Sequence, residues 1–150
     1  MRNVARSSRS GMTLVEVLVA VSVVLIAVIG ILYSYAKAIE LNAIGQGSVI
    51  ATQAVKNKIE QIKGTAFSTI FTTYNNTTFT AVGLNGRGLV TVDRSNSRLL
   101  EVKVIFCWRL GSGRIIGEDR DLDGVLDAGE DANGNGQLDA YVQIVTRIYG

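Results

Sequence analysis

The sequence predicts an α+β protein: one long N-terminal helix, a membrane half followed by an amphipathic half, packed on an antiparallel β-sheet, with an acidic loop before the last strand. Three observations carry this reading. Residues 12–36 are a run of 25 positions in which Glu16 is the single charge. From Lys37 onward the apolar residues fall on one side of a helical period, and from residue 88 onward β-branched runs alternate with period two.

The helix is expected from Met12 to about Lys63. The chain contains no proline, so nothing in it must break a helix. At roughly 1.5 Å per residue the apolar run spans about 37 Å, against a hydrocarbon core of about 30 Å, so it can cross a bilayer with some tilt. In the second half Ile44, Ala51, Val55, Ile59 and Ile62 form the stripe that should lie on the folded domain, while Lys56, Lys58, Glu60 and Lys63 lie elsewhere. Lys63 and Gly64 are a plausible stop. Residues 64–87, rich in Thr, Asn and Gly, are expected to form a loop with a short strand near Phe79. "GLVTVDR" and "RLLEVKVIFCWRL", separated by "SNS", predict an antiparallel hairpin. In its second strand Leu100, Val102, Val104, Phe106 and Trp108 share the core face, and Glu101, Lys103 and Arg109 mark a solvent face. The terminal "YVQIVTRIY" alternates through Val142, Ile144 and Ile148 and should close the sheet. The organisation expected is a leader at 1–11, a transmembrane half-helix at 12–36, and an exported domain at 37–150 whose acidic loop is 118–139.

Composition excludes several function classes. The net charge of +2 is concentrated in Arg2, Arg6 and Arg9; the remaining chain has 12 basic and 13 acidic residues, so no nucleic-acid contact is evident. With no histidine there is no Ser-His or Cys-His pair, and no nucleophile accompanies the acids of the loop, so no enzyme is expected. The single cysteine, Cys107, cannot form an internal disulfide and is expected to behave as a small hydrophobe. Trp108 is expected in the core.

Residues 119–130, "DRDLDGVLDAGE", match D-x-D-x-D-G-x5-E, the spacing of an EF-hand calcium loop. Asp119, Asp121 and Asp123 alternate so that their carboxylates converge on a hard cation, and Gly124 permits the sharp turn. The carbonyl of Val125 adds an oxygen, Asp127 acts directly or through water, and Glu130 closes the shell. "DANGNGQLD" then repeats the first nine positions with Asp131, Asn133, Asn135, the carbonyl of Gln137 and Asp139, but its twelfth position is Val142, which cannot coordinate. One or two calcium ions are therefore expected, in an EF-hand-like loop flanked by strands. Asp, Asn and Gly also suit turns, yet eight acids with one base between residues 118 and 139 would repel one another without a cation.

The N-terminus allows three readings. Three arginines before an apolar run fit a plain anchor with its N-terminus in the cytoplasm. A secretory signal cut after Ala36, at "SYA", would release a soluble calcium-binding module. Against it, the run exceeds the usual signal core of about 7–15 residues, and the helical pattern continues through the cut. The third reading explains Glu16. A basic leader ending in Gly11, followed by Met12, Thr13, Leu14, Val15 and Glu16, resembles the prepilin-type signal of type IV pilins and type II secretion pseudopilins. The resemblance implies cleavage between Gly11 and Met12 by prepilin peptidase and methylation of the new amine. It also implies a single pass through the bacterial inner membrane with the C-terminal domain outside the cytoplasm, then assembly with other pilin or pseudopilin subunits. Glu16, costly in a bilayer, would then pair with an amine of its own or of a neighbouring subunit. Met12 in place of the common phenylalanine, no proline in the membrane half and no C-terminal disulfide are departures that favour a minor subunit near the tip.

Overall fold

The computed structural model describes residues 12–150; the leader at 1–11, Gly11 included, lies outside the described residues. Helix α1 runs without interruption from Leu14 to Lys63. The chain divides into two compact units, one ending at Leu41 and one spanning Asn42–Gly150. In the first, the helical residues up to Ala36 are exposed and, apart from Glu16 and two serines, apolar or aromatic or glycine, and α1 is long and apolar enough to cross a membrane. Its first turn is capped: Thr13 Oγ1 accepts the backbone N–H of Glu16 at 3.3 Å, and Val17 N–H reaches Thr13 O. A Thr followed three residues later by Glu is the sequence mark of such a start, and an acid in the first turn also suits the helix dipole.

In the second unit the remainder of α1 buries Gly47, Ala51, Val55, Ile59 and Ile62. This is the expected stripe, with Ile44 partly buried at its edge and Gly47 added to it. It lies on a five-stranded antiparallel sheet built from β1 (Thr77–Ala81), β2 (Leu84–Asn96), β3 (Leu99–Arg109), β4 (Ile115–Ile116) and β5 (Val142–Tyr149). β3 is central. It pairs with β2 on one side, where Val90 faces Val104 and Val92 faces Val102. On the other side it pairs with β5 over Leu99–Phe106 and with the short β4 at Trp108 and Arg109. The predicted core face is observed: Leu100, Val102, Val104, Phe106 and Trp108 are all buried, together with Val90, Val92 and Val142.

Two expectations are corrected. The segment read as a loop contains helix α2, Phe67–Tyr74, before the expected strand at Phe79. Its threonines lower helix propensity by about half a kcal/mol each. Ile70 is nonetheless fully buried, with Phe67 and Phe71 half-buried beside it, and burying one such side chain is worth about 1.5–3 kcal/mol. Packing therefore overrides propensity. The second correction concerns the face of β3 read as solvent. There Ile105 and Cys107 are buried with Leu138, and Leu89, Leu122, Leu126 and Ala140 pack around them. The acidic loop covers that face, so the unit has three layers: helices, sheet and loop.

Candidate functional site

The loop between β4 and β5 is held by its own acids. Asp119, 2% exposed, accepts the N–H groups of Leu122 at 2.7 Å and Asp123 at 3.2 Å on one oxygen, and that of Gly124 at 2.9 Å on the other. Asp121 Oδ1 also accepts Asp123 N–H, and Asp123 Oδ1 accepts Val125 N–H at 2.6 Å. Twelve residues later the pattern recurs. Asp131 accepts the N–H groups of Asn135 and Gly136 at 3.0 and 2.8 Å, Asn133 Oδ1 also accepts Asn135 N–H, and Asn135 Oδ1 accepts Gln137 N–H at 2.8 Å. The backbone repeats as well, with positive φ at Leu122 (65°) and Gly124 (82°) in the first loop and at Gly134 and Gly136 (both 73°) in the second. Leu122 thus occupies a conformation that a β-carbon makes unfavourable, at the position where the second loop has glycine.

The two loops diverge at their ends. In the first, Glu130 is 6% exposed; its oxygens accept the N–H groups of Arg120 at 2.7 Å and Asp127 at 3.1 Å. In the second, the equivalent position is Val142, which opens β5 and is buried. Asp119, Asp121 and Asp123 each present a carboxylate oxygen, all within 4.8 Å of one another. The electrostatics record the crowding. Burial, with the Glu130 charge adding to it, raises Asp119 above the ordinary aspartate value, and the charges of Asp123, Asp121 and Glu130 raise Asp127. A carboxylate oxygen that accepts one N–H retains a second lone pair. Asp119, Asp121 and Asp123 are thus the residues brought close enough together to offer oxygens to a hard divalent cation.

In the second loop Asp139 is held below the ordinary value, mainly by its bond from Lys103 and further by bonds from Asn133 and Asn135. The backbone of Asp139 pairs with Glu118, whose N–H donates to Asp139 O at 3.0 Å and whose Oε2 accepts Asp139 N–H at 2.9 Å. Lys103 and Glu118 belong to the site although the ligand spacing of the loops does not include them. Lys103 lies 36 residues from its partner, and only its period-two placement on the face of β3 opposite the core points toward the loop.

In the first unit Met12 is exposed just ahead of α1, and the carboxylate of Glu16 makes no hydrogen bond or ion pair among the described residues. A family model described as the prokaryotic N-terminal methylation motif matches residues 6–32. The chain carries a prepilin-type methylation motif. The match spans the leader arginines Arg6 and Arg9, Gly11, Met12 and Glu16. Neither the curated proteins nor the solved structures contain a match to this chain. The prepilin-type motif is consistent with a type IV pilin or pseudopilin and implies processing by prepilin peptidase and assembly with other pilin-type subunits. The long helix and antiparallel sheet agree with the architecture that the resemblance implies.

Proposed function

We propose that this chain is a structural subunit of a type IV pilus or type II secretion pseudopilus, a minor subunit placed near the tip, with an exported domain stabilised by calcium. The observation that carries the reading is the prepilin-type motif at residues 6–32, with Glu16 in an exposed apolar helix and without a partner among the described residues. Prepilin peptidase would cut after Gly11, and the Met12 amine would then offer Glu16 a positive partner at similar depth. Residues 12–36 would hold the subunit in the inner membrane until assembly, with the C-terminal domain outside the cytoplasm. The minor role is supported by the missing proline and the single cysteine.

Mutation separates processing from assembly. Gly11→Ala should leave the leader attached, whereas Glu16→Ala should be processed normally but fail to enter a fibre. Normal maturation of Gly11→Ala, seen as an unchanged gel shift, would sink the reading. N-terminal sequencing distinguishes the alternative of a secreted calcium-binding module: a methylated Met12 supports the fibre subunit, and Lys37 supports the module.

Calcium is supported by three convergent carboxylates and by two buried acids, Asp119 and Glu130, whose charge nothing else in the first loop offsets except Arg120. Asp119, Asp121, Asp123, Asp127, Glu130 and the Val125 carbonyl would hold the ion, and such a set prefers calcium to magnesium, which takes fewer protein oxygens. Full-length protein in detergent should bind calcium at millimolar concentration or below, and Asp119→Asn should remove that binding; no heat of binding in calorimetry at millimolar calcium refutes it.

A further inference from the structure

The second loop keeps the backbone of the first but not its charge. Where the first loop has Asp119, Asp121, Asp123, Asp127 and Glu130, the second has Asp131, Asn133, Asn135, Asp139 and Val142. Five negative charges become two. A cation already sits on the second loop. Lys103 extends from β3 on the face opposite the core, and its side chain is 17% exposed. Its ammonium pairs directly with Asp139 Oδ1 and donates to Gln137 Oε1 at 3.2 Å. The other oxygen of Asp139 accepts the side-chain N–H groups of Asn133 and Asn135, both at 2.7 Å. Those two amides therefore present nitrogen, not oxygen, to the carboxylate that would act as the ninth-position ligand. A divalent ion would have to break the lysine pair and turn both amides, and would still meet Val142 at the twelfth position.

We propose that the Lys103 ammonium is the resident cation of the second loop, so that the chain takes a single divalent ion, in the first loop, while residues 131–139 are pinned to β3 without metal. An ammonium ion and a metal ion serve the same purpose here, neutralising a carboxylate among converging oxygens, but the lysine is covalently part of the sheet. The single-ion count rests on the calcium reading of the first loop; the pinning does not.

Hydrogen exchange followed by mass spectrometry on full-length protein in detergent, in calcium or in chelator, tests both parts. In wild type, calcium should slow exchange in 119–130, where it would neutralise crowded carboxylates, and leave 131–139 unchanged, because there Asp139 is already paired with Lys103. Lys103→Gln in chelator should speed exchange in 131–139 by about tenfold or more, with β2 and β5 unchanged as the control for folding. Asp139→Asn, which leaves the lysine stem in place, should do the same and serves if Lys103→Gln does not fold. Calcium slowing both loops of the wild type overturns the proposal. So does exchange in 131–139 as slow in the variants as in wild type. If neither loop of the wild type responds to calcium, the calcium reading fails, and the variants in chelator still decide the pinning.

Discussion

Two glycines of α1, two residues apart, should respond to the same substitution with opposite sign. Gly45 is exposed and a β-carbon there would meet nothing within 4 Å. Gly47 is buried against Trp108, and a β-carbon there would lie 2.5 Å from the indole Nε1 and 3.0 Å from Cε2. Trp108 is fully buried and its Nε1 makes no hydrogen bond among the described residues, so the ring lies against the helix where the glycine leaves room. Replacing glycine by alanine within a helix gains about 1 kcal/mol. At Gly45 that gain should appear in full. At Gly47 it is opposed by an overpacking cost near the upper end of the usual range of about 1–3 kcal/mol, because a 2.5 Å approach lies far inside contact distance and the ring is fully buried, leaving a net loss of about 2 kcal/mol. The expected result is a Tm raised by roughly 4 °C in Gly45→Ala and lowered by a similar or larger amount in Gly47→Ala. Trp108 is the only tryptophan, so its fluorescence during thermal unfolding of full-length protein in detergent reads the perturbed contact directly. A Gly47→Ala variant as stable as Gly45→Ala would refute the close approach of helix and indole.

Other outcomes follow from the loop. Asp119 and Asp127 have raised values in the folded state, so the calcium-free fold binds more protons than the unfolded chain; its stability should rise as pH falls from 7 toward the ordinary aspartate value near 3.8. Below that, Asp139 and Asp93, whose values are lowered, should protonate and reverse the gain, leaving a maximum in Tm under mildly acidic conditions; saturating calcium should abolish the acidic rise. Burial pushes the Cys107 thiol up to about 11, so a thiolate-directed reagent at pH 8 should label it only after the loop is displaced or the protein unfolds. Gly117 has a φ of 120° and packs on Cys107, where a β-carbon would overlap the sulfur, so Gly117→Ala should raise the labelling rate in otherwise folded protein, with Trp108 fluorescence unchanged.

Legibility followed the range of the interactions. Helix α1, the β2–β3 hairpin and the alternation of β5 are written in local periodicity, and the structure has each of them. The first acidic loop is equally local, because a twelve-residue spacing contains all its acids. What escaped depended on partners far along the chain. α2 carries four β-branched residues in eight and is helical because Ile70, Phe67 and Phe71 have a core to enter. Glu101, Lys103 and Arg109 mark the covered face of β3 as solvent in the sequence, while Ile105 and Cys107 between them need Leu138, more than thirty residues on, to bury them. Lys103 likewise looks solvent-facing by period alone, and it pairs with Asp139.

The two faces of β3 are thus closed by different physics, and consecutive residues mark the division. Trp108 faces the helices, in a continuous apolar core whose stabilisation scales with buried area and is indifferent to protons and metal. Cys107 faces the loop, where three buried apolar residues form the whole core and the covering segment is a chain of carboxylates held by backbone N–H groups and one lysine. On the helical side a ligand has nothing to add. On the loop side an ion that bound only the folded arrangement would stabilise it by mass action, about 1.4 kcal/mol at ten times its dissociation constant, and would do so where carboxylates already crowd one another. An ion bound by the first loop would in this way add a cross-link made of charge on the face where the buried apolar cluster is smallest.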